Sequence, residues 1–130
     1  MTDKEYRQQK QRVRKLIKKW VRPLGLNWWR IDFAYERINK HEGQPTYAPM
    51  DVGGYFEVVM ETRCDPYYLK AHITVYLQVT QDLDDDDLEQ SFLHELMHVF
   101  LSPMKTKQKA GEEELVATKL AQAFMWSSKK

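Results

Sequence analysis

The chain has 130 residues, of which 42% are hydrophobic and 12% aromatic, so it is long and apolar enough to bury the core of one domain over residues 1–130. Its 20 Lys and Arg against 19 Asp and Glu give a net charge of +1, which excludes a strongly basic nucleic-acid coat protein and an acidic disordered chain as its overall identity. No apolar run is long enough to span a membrane, no secretory signal is visible, and the single Cys64 excludes an intrachain disulfide, so we expect a cytoplasmic protein.

The first predicted element is a helix from about Asp3 to Val21. From Val13 onward its apolar residues recur at helical spacing, which indicates one buried stripe, and Pro23 with Gly25 ends the helix. Residues 1–22 also carry nine Lys and Arg. The pattern favours an ordinary solvated surface, with binding of nucleic acid or an acidic partner as the alternative.

Three strands are predicted next, each from alternation of apolar and polar residues. They cover about 29–36, 56–61 and 71–79. Residues 37–54 contain three Gly and two Pro and are expected to form a loop. The turn between the second and third strands is placed at Cys64-Asp65-Pro66.

The C-terminal part of the chain predicts two helices. The first begins after Asp84 as N-cap and ends at about Leu101, before Pro103. Its acidic first turn complements the helix dipole, a better explanation than a calcium site. The second runs over about 112–125. The order α-β-β-β-α-α predicts an α+β fold with a small antiparallel or mixed sheet.

The chemistry is concentrated in the motif His94-Glu95-Leu96-Met97-His98, an H-E-x-x-H pattern on the predicted helix 84–101. Residues four apart lie one turn apart on the same helix face, so both imidazoles can reach a single Zn²⁺. Glu95 is poorly placed as a ligand but can take a proton from a water bound on the open side of the metal. Two packed, hydrogen-bonded histidines are the alternative to a metal site.

A third ligand is needed, and the next helix opens with Glu112-Glu113-Glu114 after Gly111. The motif, followed on the next helix by the run from Glu114 to Ala121, resembles the gluzincin metallopeptidases. The resemblance implies Glu114 as the third ligand and places Thr118 where that clan has an Asp or Asn holding a ligand histidine. The register with Glu113 as ligand and Ala117 at the supporting position stays open, and the other glutamates of the triplet are expected to be solvated.

The element order is also similar to the minimal gluzincin core, the minigluzincins, to small metallopeptidase-like proteins of phages and distantly to the ImmA/IrrE group. The resemblance implies a three-stranded sheet packed on the motif helix. It also implies that the strand 71–79 borders the cleft and pairs with an extended substrate, through the polar face of His72, Thr74, Tyr76 and Gln78. An ordinary solvated face is equally consistent with those residues.

The sequence therefore predicts a zinc-dependent metallopeptidase that hydrolyses peptide bonds in a peptide or protein by Glu95-assisted attack of a zinc-bound water. A group stabilising the oxyanion has to come from upstream of Glu114, and the candidates are His41, Tyr47, Tyr67, Tyr68, His72 and Tyr76. The alternative function is a non-catalytic, zinc-containing regulatory domain that contacts nucleic acid or an acidic partner through the basic helix. A scaffold without metal is a third hypothesis, and other transition metals also suit this ligand set.

Overall fold

The computed structural model describes residues 1–37, 47–49, 55–57, 59–104 and 110–129. Within these residues the helices are α1 (Asp3–Trp20), α2 (Leu77–Thr80), α3 (Asp85–Leu101) and α4 (Ala110–Ser128). The strands are β1 (Arg30–Glu36), β2 (Tyr47–Pro49), β3 (Tyr55–Glu57), β4 (Met60–Asp65) and β5 (Lys70–Tyr76). The expected α+β class is confirmed. None of the helices in this described part has the length and apolar character needed to cross a bilayer.

The main sheet has the strand order β1-β5-β4, so the last strand in sequence lies in the centre. β1 pairs with β5 in parallel, from Arg30 opposite Lys70 onward. β4 pairs with β5 in antiparallel register, with Thr62 opposite Ile73. The sheet is therefore mixed, and β1 and β4 are its two edges among the described residues. The short strands β2 and β3 form a separate antiparallel pair.

Two predicted strands and the predicted loop differ in extent from the structure. The second strand of the main sheet is Met60–Asp65 rather than 56–61, and residues 55–57 belong to the separate pair. The third strand ends at Tyr76, because Leu77–Thr80 turns into a helix in which Leu77 and Val79 are both buried. The alternation of apolar and polar residues over 71–79 does not distinguish a longer strand from a strand followed by a helical turn, since a single helical turn can also bury Leu77 and Val79. Residues 47–49 of the expected loop lie in β2, and residues 38–46 and 50–54 lie outside the described part.

Helix α3 begins where the sequence predicts. The backbone N–H of Asp87 donates to the side chain of Asp84 at 2.8 Å, so Asp84 is the N-cap. Asp85, Asp86 and Asp87 form the acidic first turn, and Leu88 is buried behind them. The favourable position of negative charge at a helix N-terminus accounts for this run.

Helix α1 is attached to the start of α3 by two of its basic residues. Arg12 contacts Asp85 at 3.0 Å and donates to the carbonyl oxygens of Thr80 and Leu83 at 2.9 and 2.8 Å. Lys19 lies 2.7 Å from the carboxylate of Glu89, and the Trp20 indole N–H donates to the same carboxylate at 2.7 Å. Together with the buried Val13, these contacts fix α1 against α3.

One hydrophobic cluster joins all of the longer elements. Phe92 on α3 stacks on Phe33 of β1, with ring centroids 6.1 Å apart, so the sheet packs on the motif helix. On the other side of α3, the fully buried Ala117 and Ala121 belong to α4. Small side chains at these two positions let the backbones of α3 and α4 approach closely.

We expect Ala121→Leu to lower the free energy of unfolding by about 1–3 kcal/mol, because three extra carbons have to fit between close-packed helices. The exposed Ala123→Leu on the same helix is the matched control and should change that free energy by less than about 0.5 kcal/mol. Urea denaturation followed by circular dichroism measures both. Equal effects at the two positions would contradict the close approach of α3 and α4.

Candidate metal centre

The two histidines of the motif lie on one face of α3. Their ring centroids are 4.8 Å apart, and the two Nε2 atoms are 3.1 Å apart. The side chains of His94 and His98 are 22% and 16% exposed, so both rings are largely covered but reach the surface. The spacing of four residues accounts for this pairing without help from any other element.

Glu114 joins the histidines from the first turns of α4. Its Oε2 lies 2.9 Å from Nε2 of His94, and its Oε1 lies 2.9 Å from Nε2 of His98. Each of the three residues offers one ligand atom, and these atoms all lie within 4.8 Å of one another. The side chain of Glu114 is 58% exposed, so the group opens to solvent on the side of α4.

Each histidine is also held at its other ring nitrogen by a residue of α4. Nδ1 of His98 lies 2.7 Å from Oε1 of Glu113, whose side chain is only 5% exposed. Nδ1 of His94 lies 3.2 Å from the hydroxyl oxygen of Thr118. Such contacts fix the tautomer and orientation of an imidazole ligand. The structure thus places Glu114 rather than Glu113 between the two Nε2 atoms, with Thr118 beside His94 as the resemblance implies.

The expectation that the glutamates beside Glu114 are solvated is wrong for Glu113. This residue is buried because consecutive residues of a helix point about 100° apart, so Glu113 turns inward beneath the His98 ring while Glu114 stays at the opening. The three consecutive glutamates indicate in the sequence that one of them can be a ligand. Only the packing of α4 on α3 determines that Glu114 reaches both Nε2 atoms and that Glu113 contacts Nδ1 of His98.

The contacts from α4 favour the ring tautomers that a metal requires. A carboxylate at Glu113 accepts a hydrogen bond from Nδ1 of His98, and when that ring is neutral and protonated there, its lone pair lies on Nε2. When Thr118 accepts from Nδ1 of His94 in the same way, two ring lone pairs and the Glu114 carboxylate meet at one point. Burial lowers the pKa of His94, against the opposing effect of Glu114, which favours the neutral ring that a metal requires.

The donor set and its spacing fit a small divalent cation. Two ligand atoms about 2.0–2.1 Å from a tetrahedral zinc are roughly 3.3 Å apart. The separations of 2.9 and 3.1 Å among the two Nε2 atoms and the Glu114 oxygens are within a few tenths of an ångström of that value. A tetrahedral ion held by these two imidazoles and this carboxylate would have one position without a ligand from the described residues, as in catalytic rather than structural zinc sites.

Glu95 lies beside this group and contacts the sheet instead of the other three residues. The hydroxyl of Thr62, in edge strand β4, donates to Oε2 of Glu95. Burial raises the pKa of Glu95 to about 7, although the hydrogen bond from Thr62 opposes the shift. A carboxylate with a pKa near neutrality is suited to accept and release a proton at physiological pH. The sequence does not predict the role of Thr62, since nothing in the spacing of a strand residue links it to Glu95, 33 positions away.

The strand that borders this site is β4, not the strand 71–79 that the resemblance implied. β5 is paired on both sides and has no free edge for a substrate. Its residues His72, Thr74 and Tyr76 alternate with the buried Ala71, Ile73 and Val75 and therefore lie on the sheet face opposite α3. The hydroxyl of Tyr76 donates to Glu61 at 3.0 Å, and burial raises its pKa to about 12. Gln78 is exposed in α2 and lies outside the sheet.

These positions narrow the set of expected oxyanion-stabilising residues. His72 and Tyr76 lie on the sheet face opposite α3 and therefore away from the metal centre. Tyr67 and Tyr68 are 94% and 73% exposed on a 3-10 turn between β4 and β5. His41 and the side chain of Tyr47 lie outside the described part of the chain. Among the described residues, Tyr67 and Tyr68 therefore remain the candidates for stabilising the oxyanion.

Comparison of this chain with protein-family models, with curated proteins and with solved structures finds no match in any of the three. The resemblance to gluzincins therefore rests on the motif, the following helix and the order of the elements. A function is therefore inferred from the arrangement of four side chains: His94, Glu95, His98 and Glu114.

Proposed function

We propose that this protein is a zinc-dependent metallopeptidase that hydrolyses peptide bonds in a peptide or protein. The observation that carries the proposal is the convergence of both histidine Nε2 atoms on Glu114, 2.9 Å from each, with Glu95 alongside. A structural zinc site needs no carboxylate base next to it and is normally closed by a fourth protein ligand. The combination of three ligands, an exposed side and a largely covered carboxylate on the same helix favours catalysis.

In this proposal His94, His98 and Glu114 hold the metal. A zinc ion held there would lower the pKa of a coordinated water and polarise the carbonyl of the scissile bond. Glu95 accepts the proton of the attacking water and returns it to the leaving amine. Thr62 holds the Glu95 carboxylate in place, while Glu113 and Thr118 keep the two rings directed at the metal.

The outer edge of β4 is the proposed place for the substrate backbone. Among the described residues, β4 pairs only with β5, so its other edge is free for main-chain hydrogen bonds. An extended peptide added there would run beside Thr62 and hence next to Glu95. The cytoplasmic location expected from the sequence stays a prediction.

Glu95→Gln should abolish hydrolysis while zinc stays bound, because the amide cannot accept the proton but does not alter the ligands. We expect a loss of at least about 100-fold in the rate of peptide cleavage. A peptide library analysed by mass spectrometry measures cleavage, and elemental analysis measures zinc in the same preparations. Equal cleavage by the zinc-loaded wild type and the variant would exclude the mechanism, as would the absence of cleavage by both.

Zinc should bind at one ion per chain, and His98→Ala should remove it. Glu113→Ala keeps all three ligands but releases the His98 ring, so we expect zinc affinity to fall about 10- to 100-fold. Gln122→Ala, on the exposed surface of the same helix, is the control and should leave affinity unchanged. Competition with a chromogenic chelator measures the affinities. Unchanged affinity in Glu113→Ala would show that the contact with His98 does not support a metal ligand.

The stability of the metal-free protein should fall between about pH 4.5 and pH 7 because of Glu95. The folded state raises the pKa of this group from 4.5 to about 7, so it keeps a proton that the unfolded chain releases. The stabilisation is complete below the unfolded pKa and is lost as the pH rises through 7. At 1.36 kcal/mol per pKa unit, the total loss is about 3 kcal/mol.

Glu95→Gln isolates this contribution, since all other titrations cancel in the difference between variant and wild type. In the presence of a chelator, the free energy of unfolding of the variant minus that of the wild type should rise by roughly 2–3 kcal/mol between pH 4.5 and pH 8. Urea titrations at a series of pH values measure it. A difference that does not change with pH would contradict a buried, proton-retaining Glu95.

A further inference from the structure

Six of the eight basic residues of α1 fall into two groups with different surroundings. Arg12 and Lys19 bind Asp85 and Glu89 of α3 and are part of the folded framework. The second group lies on another side of the helix and lines a groove of about 640 Å³ between α1 and β1: Lys10, Arg14, Lys15 and Lys18. Among the described residues, only part of the positive charge of α1 is therefore paired with acidic side chains of the protein itself.

The cations of the groove have no acidic partner among the described residues. Arg14, Lys15 and Lys18 are exposed, and none of the ion pairs in the described part of the chain includes them or Lys10. The ammonium group of Lys10 lies 5.1 Å from the ring centroid of Tyr35 and 5.8 Å from that of Tyr6, which holds it over the groove. Four positive charges thus surround one concave surface that lacks a described counter-charge.

The floor of the groove is apolar and belongs partly to a sheet edge. It consists of Ile17 from α1 with Phe33 and Tyr35 from β1, all partly buried. β1 pairs with β5 along one side, and no described strand pairs with its other side. A strand added at this edge would direct every second side chain towards α1, as Phe33 and Tyr35 already are.

We propose that this groove binds an extended acidic segment of another protein, added as a strand along the edge of β1 that no described strand occupies. Lys10, Arg14 and Lys18 are spaced by four residues on one helix side, which is about 6 Å of rise per step. Alternate residues of a strand are about 6.6–6.8 Å apart. Carboxylates at every second position of the segment therefore face successive cations, while main-chain hydrogen bonds fix the register.

Two other occupants fit the groove less well. Single-stranded nucleic acid binds best where bases stack on open aromatic faces. In this groove the Tyr35 ring faces the Lys10 ammonium, and Phe33 is stacked on Phe92. The acidic run of a second copy is part of helix α3, with Asp85 and Glu89 already bound to α1, so it is not an extended strand.

The binding site lies away from the proposed metal centre. β1 and β4 are the opposite edges of the sheet, separated by β5, so their axes are about 10 Å apart. Binding at β1 therefore needs neither zinc nor Glu95 and does not depend on the proposed peptidase function.

The test measures binding of a fluorescent, capped peptide of alternating glutamate and valine to the full chain in the presence of chelator. Fluorescence anisotropy should show saturable binding that weakens as salt is raised. Binding of the same peptide with glutamine in place of glutamate should be at least tenfold weaker. Methylation of alternate backbone amides should also abolish binding if the peptide joins the sheet edge.

The variant Lys15→Glu/Lys18→Glu should weaken binding at least tenfold. Lys70→Glu/Lys119→Glu changes the net charge equally at exposed positions outside the groove and should alter binding less than twofold. Circular dichroism checks that both variants are folded. Equal weakening by both variants, tighter binding of a short oligothymidylate than of the acidic peptide, or no binding of the peptide to wild type would overturn the proposal.

Discussion

The close packing of α4 on α3 is the interaction on which the candidate site depends. α3 alone presents two imidazoles on one face, a pair without a third ligand or fixed ring orientation. The buried Ala117 and Ala121 let α4 lie directly against that face. Three residues of α4 then act on two histidines: Glu114 between the Nε2 atoms, Glu113 at Nδ1 of His98 and Thr118 near Nδ1 of His94. A larger side chain at the alanine positions would displace all of these contacts together.

The sheet provides the remaining part of the site from the opposite side of α3. Thr62 reaches Glu95 from β4 because residues 60, 62 and 64 of that strand face the helix, while residues 61 and 63 lie on the other face. The side chain of Glu95 is partly covered at this position, and burial is the main reason that its pKa rises to about 7. In the proposed mechanism, the sheet therefore positions the base Glu95, and the following helix α4 orients the metal ligands.

The strand order gives the two edges of the sheet different surroundings. With β5 in the centre, β4 lies next to Glu95 and β1 lies next to the basic side of α1. An edge strand offers unpaired N–H and C=O groups that either have to be covered or can bind another chain. In our proposals both edges receive extended peptide, but the acidic preference at β1 comes from the cations of α1 and has no counterpart at β4.

The sequence by itself determined the elements whose signals are local. The N-cap Asp84, the ends of α1 and α3, the pairing of His94 with His98 and the α+β class follow from spacing and capping within a few residues. Only the tertiary structure decided what depends on contacts between distant segments. It turned Leu77–Thr80 into a helix, put β5 in the centre of the sheet, brought Thr62 to Glu95 and separated Glu113 from Glu114. A local pattern specifies which face of an element is buried, whereas the partner of that face is set by packing across the whole chain.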